Sequence, residues 1–336
     1  MAKIVGIDLG TANTLMCLKG KKGFLQCPSV VAISKSTREV VALGQKARDM
    51  LGKTPDGIVT IRPMQEGIIA DPDATAKMLR ILFEEAQVIS FFSRPAVIAS
   101  IPHGVTEVSK RALEQALFEA GARSVALIDE PMAAALGTGL RVGRARGSMI
   151  VDIGGGTTEM AVISLGGIAA TQSLRTGGNK FDEAIIKYIR STRGVLIGPA
   201  SAEDLKIHIG SAHPEFDTGE MQICGRNLLC DKSAAIISVS SREVRKAISG
   251  ELERITRAIR TTLEQTPPEL SSDIYDFGIT LTGGGALLNG IGKLIEQRTG
   301  LKVSIAKRPL ESVCAGILRV IETEGEFGSL LHYRGR

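Results

Sequence analysis

Two short segments, GIDLGTANT at 6–14 and VDIGGGTTE at 151–159, share the pattern D-x-G-x-x-x-T. Its aspartate, glycine and threonine are Asp8, Gly10 and Thr14 in the first copy, and Asp152, Gly154 and Thr158 in the second, 144 residues later. In each copy an apolar run leads into the acid, a glycine-containing turn follows, and a second apolar run leads away. That is the pattern of a β-hairpin. A repeat this long is no solenoid unit. It points to a duplicated domain, with two similar lobes facing each other, and 336 residues are enough for both.

The rest of the chain alternates strands with helices. Asp71 as N-cap and Pro72 at the first helical position predict a helix over 72–86. A second helix follows Thr106, with Val108, Ala112, Ala116 and Ala120 on one stripe, Leu113 and Leu117 beside it, and Gly121 to stop it. Ser240 with Glu243 forms a capping box before a long amphipathic helix ending near Gln265, after which TPPEL forces a turn. The apolar runs AVIASIP, SVALIDEP, GITLTGGG and KVSIAKRP read as strands between them. Such alternation means α/β layers. Residues 31–71 and 181–240 interrupt the repeat and read as two small inserted subdomains.

Glycine turns whose backbone N–H groups converge make anion-binding concavities, and without a Cβ the backbone can approach phosphate oxygens closely. Gly10, Thr11, Ala12 and Asn13 form one such turn; Gly154, Gly155, Gly156 and Thr157 form the other. Thr14 and Thr158 offer further donors. Asp8 and Asp152 would repel phosphate directly, but both suit a Mg²⁺ that bridges carboxylate and phosphate through water. A third cluster, Gly283, Gly284 and Gly285, follows a strand and suits a surface against a purine and ribose. Glu203 and Lys206, one helical turn apart, are either a plain helix pair or ligands for ribose hydroxyls and the adenine edge.

Composition narrows the partners. With no Trp and three Tyr, base-stacking surfaces are disfavoured, so no nucleic-acid partner is expected. The net charge of +5 is spread thinly, apart from KGKK at 19–22 and RVGRAR at 141–146, and implies at most a weak pull toward an anionic membrane. Five cysteines without paired spacing read as reduced thiols. The chain enters a strand at once, leaving no room for a signal peptide, and no run of 18 apolar residues exists. These features predict a cytoplasmic protein.

In combination, GIDLGTANT, IRPMQEGIIAD, GVTEVSKRAL, IDEPMAAALG, VDIGGGTTEMAVISLGGI, GGNKFDEAII, QTPPEL and LTGGGALLNGI are specific. The chain resembles the MreB/Mbl family of bacterial actin-like rod-shape proteins, in the actin–Hsp70–sugar kinase superfamily, from about residue 4 to about residue 320. The resemblance implies an actin-like, ribonuclease H-like duplicated, bilobal ATPase fold. Subdomain IA would comprise 1–30, 72–140 and 310–336; IB, 31–71; IIA, 141–180 and 241–309; and IIB, 181–240.

The resemblance further implies ATP with Mg²⁺ between the lobes, and slow hydrolysis tied to filament assembly. Glu130 would orient the attacking water and Thr157 would help to place it; a carboxylate beneath a cleft suits that task. Expected partners are further copies of the chain in paired antiparallel filaments, the inner face of the plasma membrane, and elongation proteins of the MreC, MreD and RodZ type. Phe91 and Phe92, between a helix and a strand, match the place of an apolar membrane loop in this family; alternatively they pack under the helix. His103 departs from the family pattern and reads as a strand-end histidine, not a catalyst. Two rivals remain within the superfamily. A sugar-type kinase would need a pocket and base for a substrate hydroxyl, and a chaperone-like ATPase would need a peptide-binding domain after the lobes.

Overall fold

The computed structural model describes residues 3–90, 93–228, 233–323, 325 and 327–333. Its two largest sheets repeat one plan. In the first lobe, strands Ile4–Leu9, Asn13–Leu18 and Leu25–Pro28 form an antiparallel meander. Strand Ile4–Leu9 then continues the sheet in parallel with Ala96–Ile101, and that strand with Ser124–Asp129. In the second lobe, Ser148–Ile153, Thr158–Ser164 and Gly167–Leu174 form the meander. Ile279–Thr282 and Val303–Ile305 complete the parallel part. The first sheet has one addition, the edge strand Leu331–Tyr333, antiparallel to Ser124–Asp129.

Both leading strands are sequestered on their two faces, which is why they read as near-continuous apolar runs. In Ser148–Ile153, Met149, Val151 and Ile153 enter the second lobe's core, while Ile150 faces a third core between the lobes. That shared core is built around helices Glu130–Gly137 and Ser312–Glu322. They cross backbone to backbone. A Cβ on Gly137 would lie 1.8 Å from the Ser312 carbonyl oxygen, and one on Gly316 would lie 1.8 Å from that of Ala133. Only glycine tolerates such an approach, so EPMAAALG and SVCAGIL are small-residue segments because they form the crossing between the lobes.

The expected helix starts appear as capped helices. Asp71 accepts from the Ala74 amide at 2.9 Å and opens helix Pro72–Glu85. Ser240 and Glu243 make the reciprocal capping box of helix Ser241–Glu264. Helix Glu107–Glu119 starts after Thr106, but its buried stripe runs through Leu113, Ala116 and Leu117 to Ala120. Val108, expected on that stripe, is 75% exposed. It stands in the first turn, before the helix reaches its packing partner Pro72–Glu85. The turn after Gln265 is short, because Pro268 opens a helix of its own, Pro268–Phe277. The insertions hold two small sheets, one of Val31–Ser34, Val40–Leu43 and Ile58–Ile61, the other of Val195–Leu196, Glu220–Asn227 and Ala234–Ser240. The second also carries helix Pro199–Ile209, which positions Glu203 and Lys206.

Candidate functional site between the lobes

The two glycine turns leave the carboxyl ends of equivalent strands, Ile4–Leu9 and Ser148–Ile153, and the third leaves Ile279–Thr282. Carboxyl ends of parallel strands are where α/β sheets bind ligands. The turns also meet. A Cβ on Gly155 would lie 2.7 Å from the Ala12 Cβ, and one on Gly156 would lie 2.5 Å from the Thr11 Oγ1. Residues 10–13 and 154–157, far apart in the chain, therefore face each other across one cleft.

Each turn is braced from behind. The Thr14 and Ser29 hydroxyls are 3.0 Å apart, and Ser29 Oγ donates to the Gly10 carbonyl at 2.7 Å. In the second lobe Thr158 Oγ1 donates to the Thr176 carbonyl at 2.7 Å. The expectation that Thr14 and Thr158 add phosphate donors is thereby corrected: both are buried and engaged with neighbouring segments. Thr11 also has a partner, accepting at 3.1 Å from the amide of Gly67. Gly67 caps the small hairpin of Met64–Gln65 and Ile68–Ile69, and a Cβ on it would reach within 3.1 Å of Thr157 Cγ2. One hairpin tip thus contacts both glycine turns.

Gly283 backs the second aspartate. Its φ is +79°, and a Cβ there would lie 2.2 Å from Asp152 Oδ1. Gly284 and Gly285 begin a single helical turn against the end of Ser148–Ile153. Glu203 and Lys206 already have protein partners. Lys206 Nζ donates to the Gly178 carbonyl and to Asp182 Oδ2, both at 3.0 Å. The Gly178 amide in turn donates to the Gly154 carbonyl at 3.0 Å, so Lys206 reaches the second turn only through the start of helix Gly178–Arg193. Burial holds the Asp182 carboxyl up, at about 6, although Lys206 pulls it down. Glu203 Oε2 accepts from Arg48 Nη2 at 2.5 Å, across the cleft. A second bridge, Arg175 to Glu66 at 3.4 Å, crosses nearer the turns.

The floor of the cleft concentrates negative charge. Burial raises Asp8 to about 6, although the Ser100 hydroxyl donates to its Oδ1 at 2.9 Å. Burial, then repulsion from Asp8 and Glu159, pushes Asp152 up to about 8. Glu130, at the start of the crossing helix, is held well above the ordinary carboxylate range by burial and then by Asp152, Asp8 and Glu159. The structure therefore brings Asp8, Asp152 and Glu130 into one electrostatic cluster. A cavity of about 20 Å³ beside Glu130 is lined also by Leu9, Gly67 and Ser100. That is room for one water molecule.

Glu159, the last residue of the second motif, gains its part only in the folded chain. It stands opposite Asp152 in register, and Ser173 stands opposite Glu159 on the third strand. Ser173 Oγ donates to Glu159 Oε1 at 2.6 Å, while Oε2 is buried with no hydrogen-bond partner. Burial raises Glu159 to about 7, with the Ser173 bond opposing and Asp129 adding. Its position seven residues after Asp152 could have shown that both acids share a sheet face. No comparable signal marked Ser29, Ser100, Gly67 or Arg48. Asp129 is the N-cap residue of helix Glu130–Gly137, but its side chain makes no capping bond; it lies between His103 Nδ1 at 3.1 Å and His332 Nε2 at 3.3 Å. Phe91 and Phe92 lie outside the described residues, among which no helix is long and apolar enough to cross a membrane.

A family model described as MreB/Mbl protein matches residues 2–328. The cell shape-determining protein MreB of Escherichia coli K12 is 47% identical over 323 residues, covering 95% of this chain and 93% of its own. The cell shape-determining protein Mbl of Bacillus subtilis strain 168 is 42% identical over 315 residues, covering 94% of each. The crystal structure of MreB 5 of Spiroplasma citri bound to AMPPNP superposes with a TM-score of 0.92 at 36% identity, covering 98% of both chains.

Proposed function

The chain belongs to the MreB/Mbl family and has an actin-like fold, and from that premise we propose that it is a cell-shape cytoskeletal ATPase. ATP lies in the cleft between the lobes, and slow hydrolysis is coupled to the assembly of membrane-associated filaments of paired antiparallel strands. These filaments organise cell-wall synthesis on the inner face of the plasma membrane, together with elongation proteins of the MreC, MreD and RodZ type. The four-subdomain division set out from the sequence belongs to the same reading. The observation that carries it is the contact of the two glycine turns above a shared carboxylate cluster. The Spiroplasma citri relative, whose crystal structure is bound to AMPPNP, supports a nucleotide there.

In this reading the amides of residues 10–13 and 154–157 grip the phosphates from both sides, and Gly283–Gly285 back the nucleoside. Glu203 and Lys206 approach the nucleoside from the helix above. Asp8 and Asp152 fit a Mg²⁺ site: burial holds both carboxyls up, the charge of Asp8 raises Asp152 further, and a divalent cation would supply the missing counter-charge. Mg²⁺ would be held through its water shell and would offset phosphate charge. Glu130 orients water from the adjoining cavity, and Thr157, pressed against the 64–69 hairpin, keeps that water in line. Nucleotide state alters the angle at the Gly137–Gly316 crossing and so the fit between subunits.

Purified protein should release phosphate from ATP at a rate per subunit that rises with protein concentration, alongside sedimentable polymer. Electron microscopy on anionic vesicles should show flat double filaments, lost from lipid when Phe91 and Phe92 are both changed to Ser. ADP release that depends on an added sugar, without polymer, would support the kinase reading instead.

A further inference from the structure

The cleft is closed above the phosphate turns by a bridge that the nucleotide reading leaves unexplained. Arg48 belongs to the short helix Gln45–Asp49 of the first insertion, and Glu203 to helix Pro199–Ile209 of the second. Their side chains meet at 2.5 Å, and both are about two-thirds buried. On the same helix, one turn on, Lys206 is tied to the Gly178 carbonyl beside the second phosphate turn. The Arg48 bridge instead joins the two insertions to each other and is part-exposed to solvent, as a contact at the mouth of the cleft is. Glu66–Arg175 is the second strut, longer at 3.4 Å and more exposed.

We infer that Arg48 gates nucleotide exchange: its bridge to Glu203 joins the two small insertions across the mouth of the cleft. This rests on the reading that ATP occupies the cleft. A nucleotide leaving the turns must pass between the insertions, so the bridge must open on each exchange. Arg48 is a positioning residue that acts through Glu203 and takes no part in the chemistry. Because the pair is partly solvated, salt weakens it.

The test is displacement of a fluorescent ATP analogue by excess ATP in the full chain, followed by stopped flow. Removing one partly exposed bridge should speed release by about two- to fivefold in Arg48→Ala and Arg48→Gln. Arg48→Lys, which keeps the charge, should fall between these and wild type. Added salt should speed wild-type release more than Arg48→Ala release, in which only the Glu66–Arg175 strut is left to screen, a difference that loosened packing alone would not produce. Binding of the analogue with equal release rates and equal salt dependence in wild type and all three variants overturns the gate alone. Failure of the wild-type chain to bind the analogue overturns the cleft reading and the gate with it.

Discussion

Gly155 and Ala12 touch across the cleft, closely enough that a Cβ on Gly155 would lie 2.7 Å from that of Ala12. Two hairpin turns from separate halves of the chain are thereby held face to face. Gly155→Val should force them apart and weaken ATP binding by at least tenfold, since the amides no longer converge. Titration with a fluorescent ATP analogue measures this, with Gly143→Val, in an exposed turn with open space around it, as the control for affinity.

The crossing of the two central helices makes a stability prediction. Gly137→Ala and Gly316→Ala each place a methyl group 1.8 Å from a backbone oxygen of the partner helix, where no side chain can turn away. Each should cost about 1–3 kcal/mol or more, the range for overpacking a dense core. Urea unfolding without nucleotide would show it; Gly250→Ala, in open space on helix Ser241–Glu264, should be neutral or mildly stabilising.

If Glu130 orients the attacking water, Glu130→Ala should lower the hydrolysis rate by about 10²–10⁴-fold, the usual span for a positioned acid–base group. Nucleotide affinity should change little. Single-turnover phosphate release, run beside analogue binding, separates the two effects. Thr157→Ala, which removes only a placing hydroxyl, should lower the rate less.

Burial of Glu159 makes the unliganded protein sensitive to alkali. Its carboxyl titrates at about 7 in the folded chain, above its ordinary 4.5, so the folded state binds the proton more tightly than the unfolded one. Its stabilising contribution is complete below about pH 4.5 and is lost as pH rises through about 7. Asp152, raised to about 8, acts in the same direction. The thermal midpoint without Mg²⁺ or nucleotide should therefore fall between pH 5 and pH 8.5. Glu159→Gln should flatten that fall and stabilise the alkaline state by on the order of 1–3 kcal/mol. An unchanged slope in scanning calorimetry would show that Glu159 does not ionise there.

Much of this was legible in the sequence because local chemistry dictates it. The D-x-G-x-x-x-T repeat placed Asp8 and Asp152 on equivalent strands, and caps at Asp71 and Ser240 located helix starts. What escaped depends on contacts between distant segments. Nothing near Thr14 shows that Ser29 will occupy its hydroxyl, and nothing near Glu203 points to Arg48. Val108 follows the helical period yet faces solvent, because periodicity gives a face and not the length over which a partner covers it. Pro267 and Pro268 read as a break, but proline also opens helices, and Pro268 does.

A crystal structure of this chain with Mg²⁺ and a non-hydrolysable ATP analogue tests the central claim most directly. The account predicts phosphate oxygens within hydrogen-bond distance of amides from both 10–13 and 154–157, with Asp8 and Asp152 on the cation's water shell. A nucleotide resting on one turn alone, or bound outside the cleft, would contradict it.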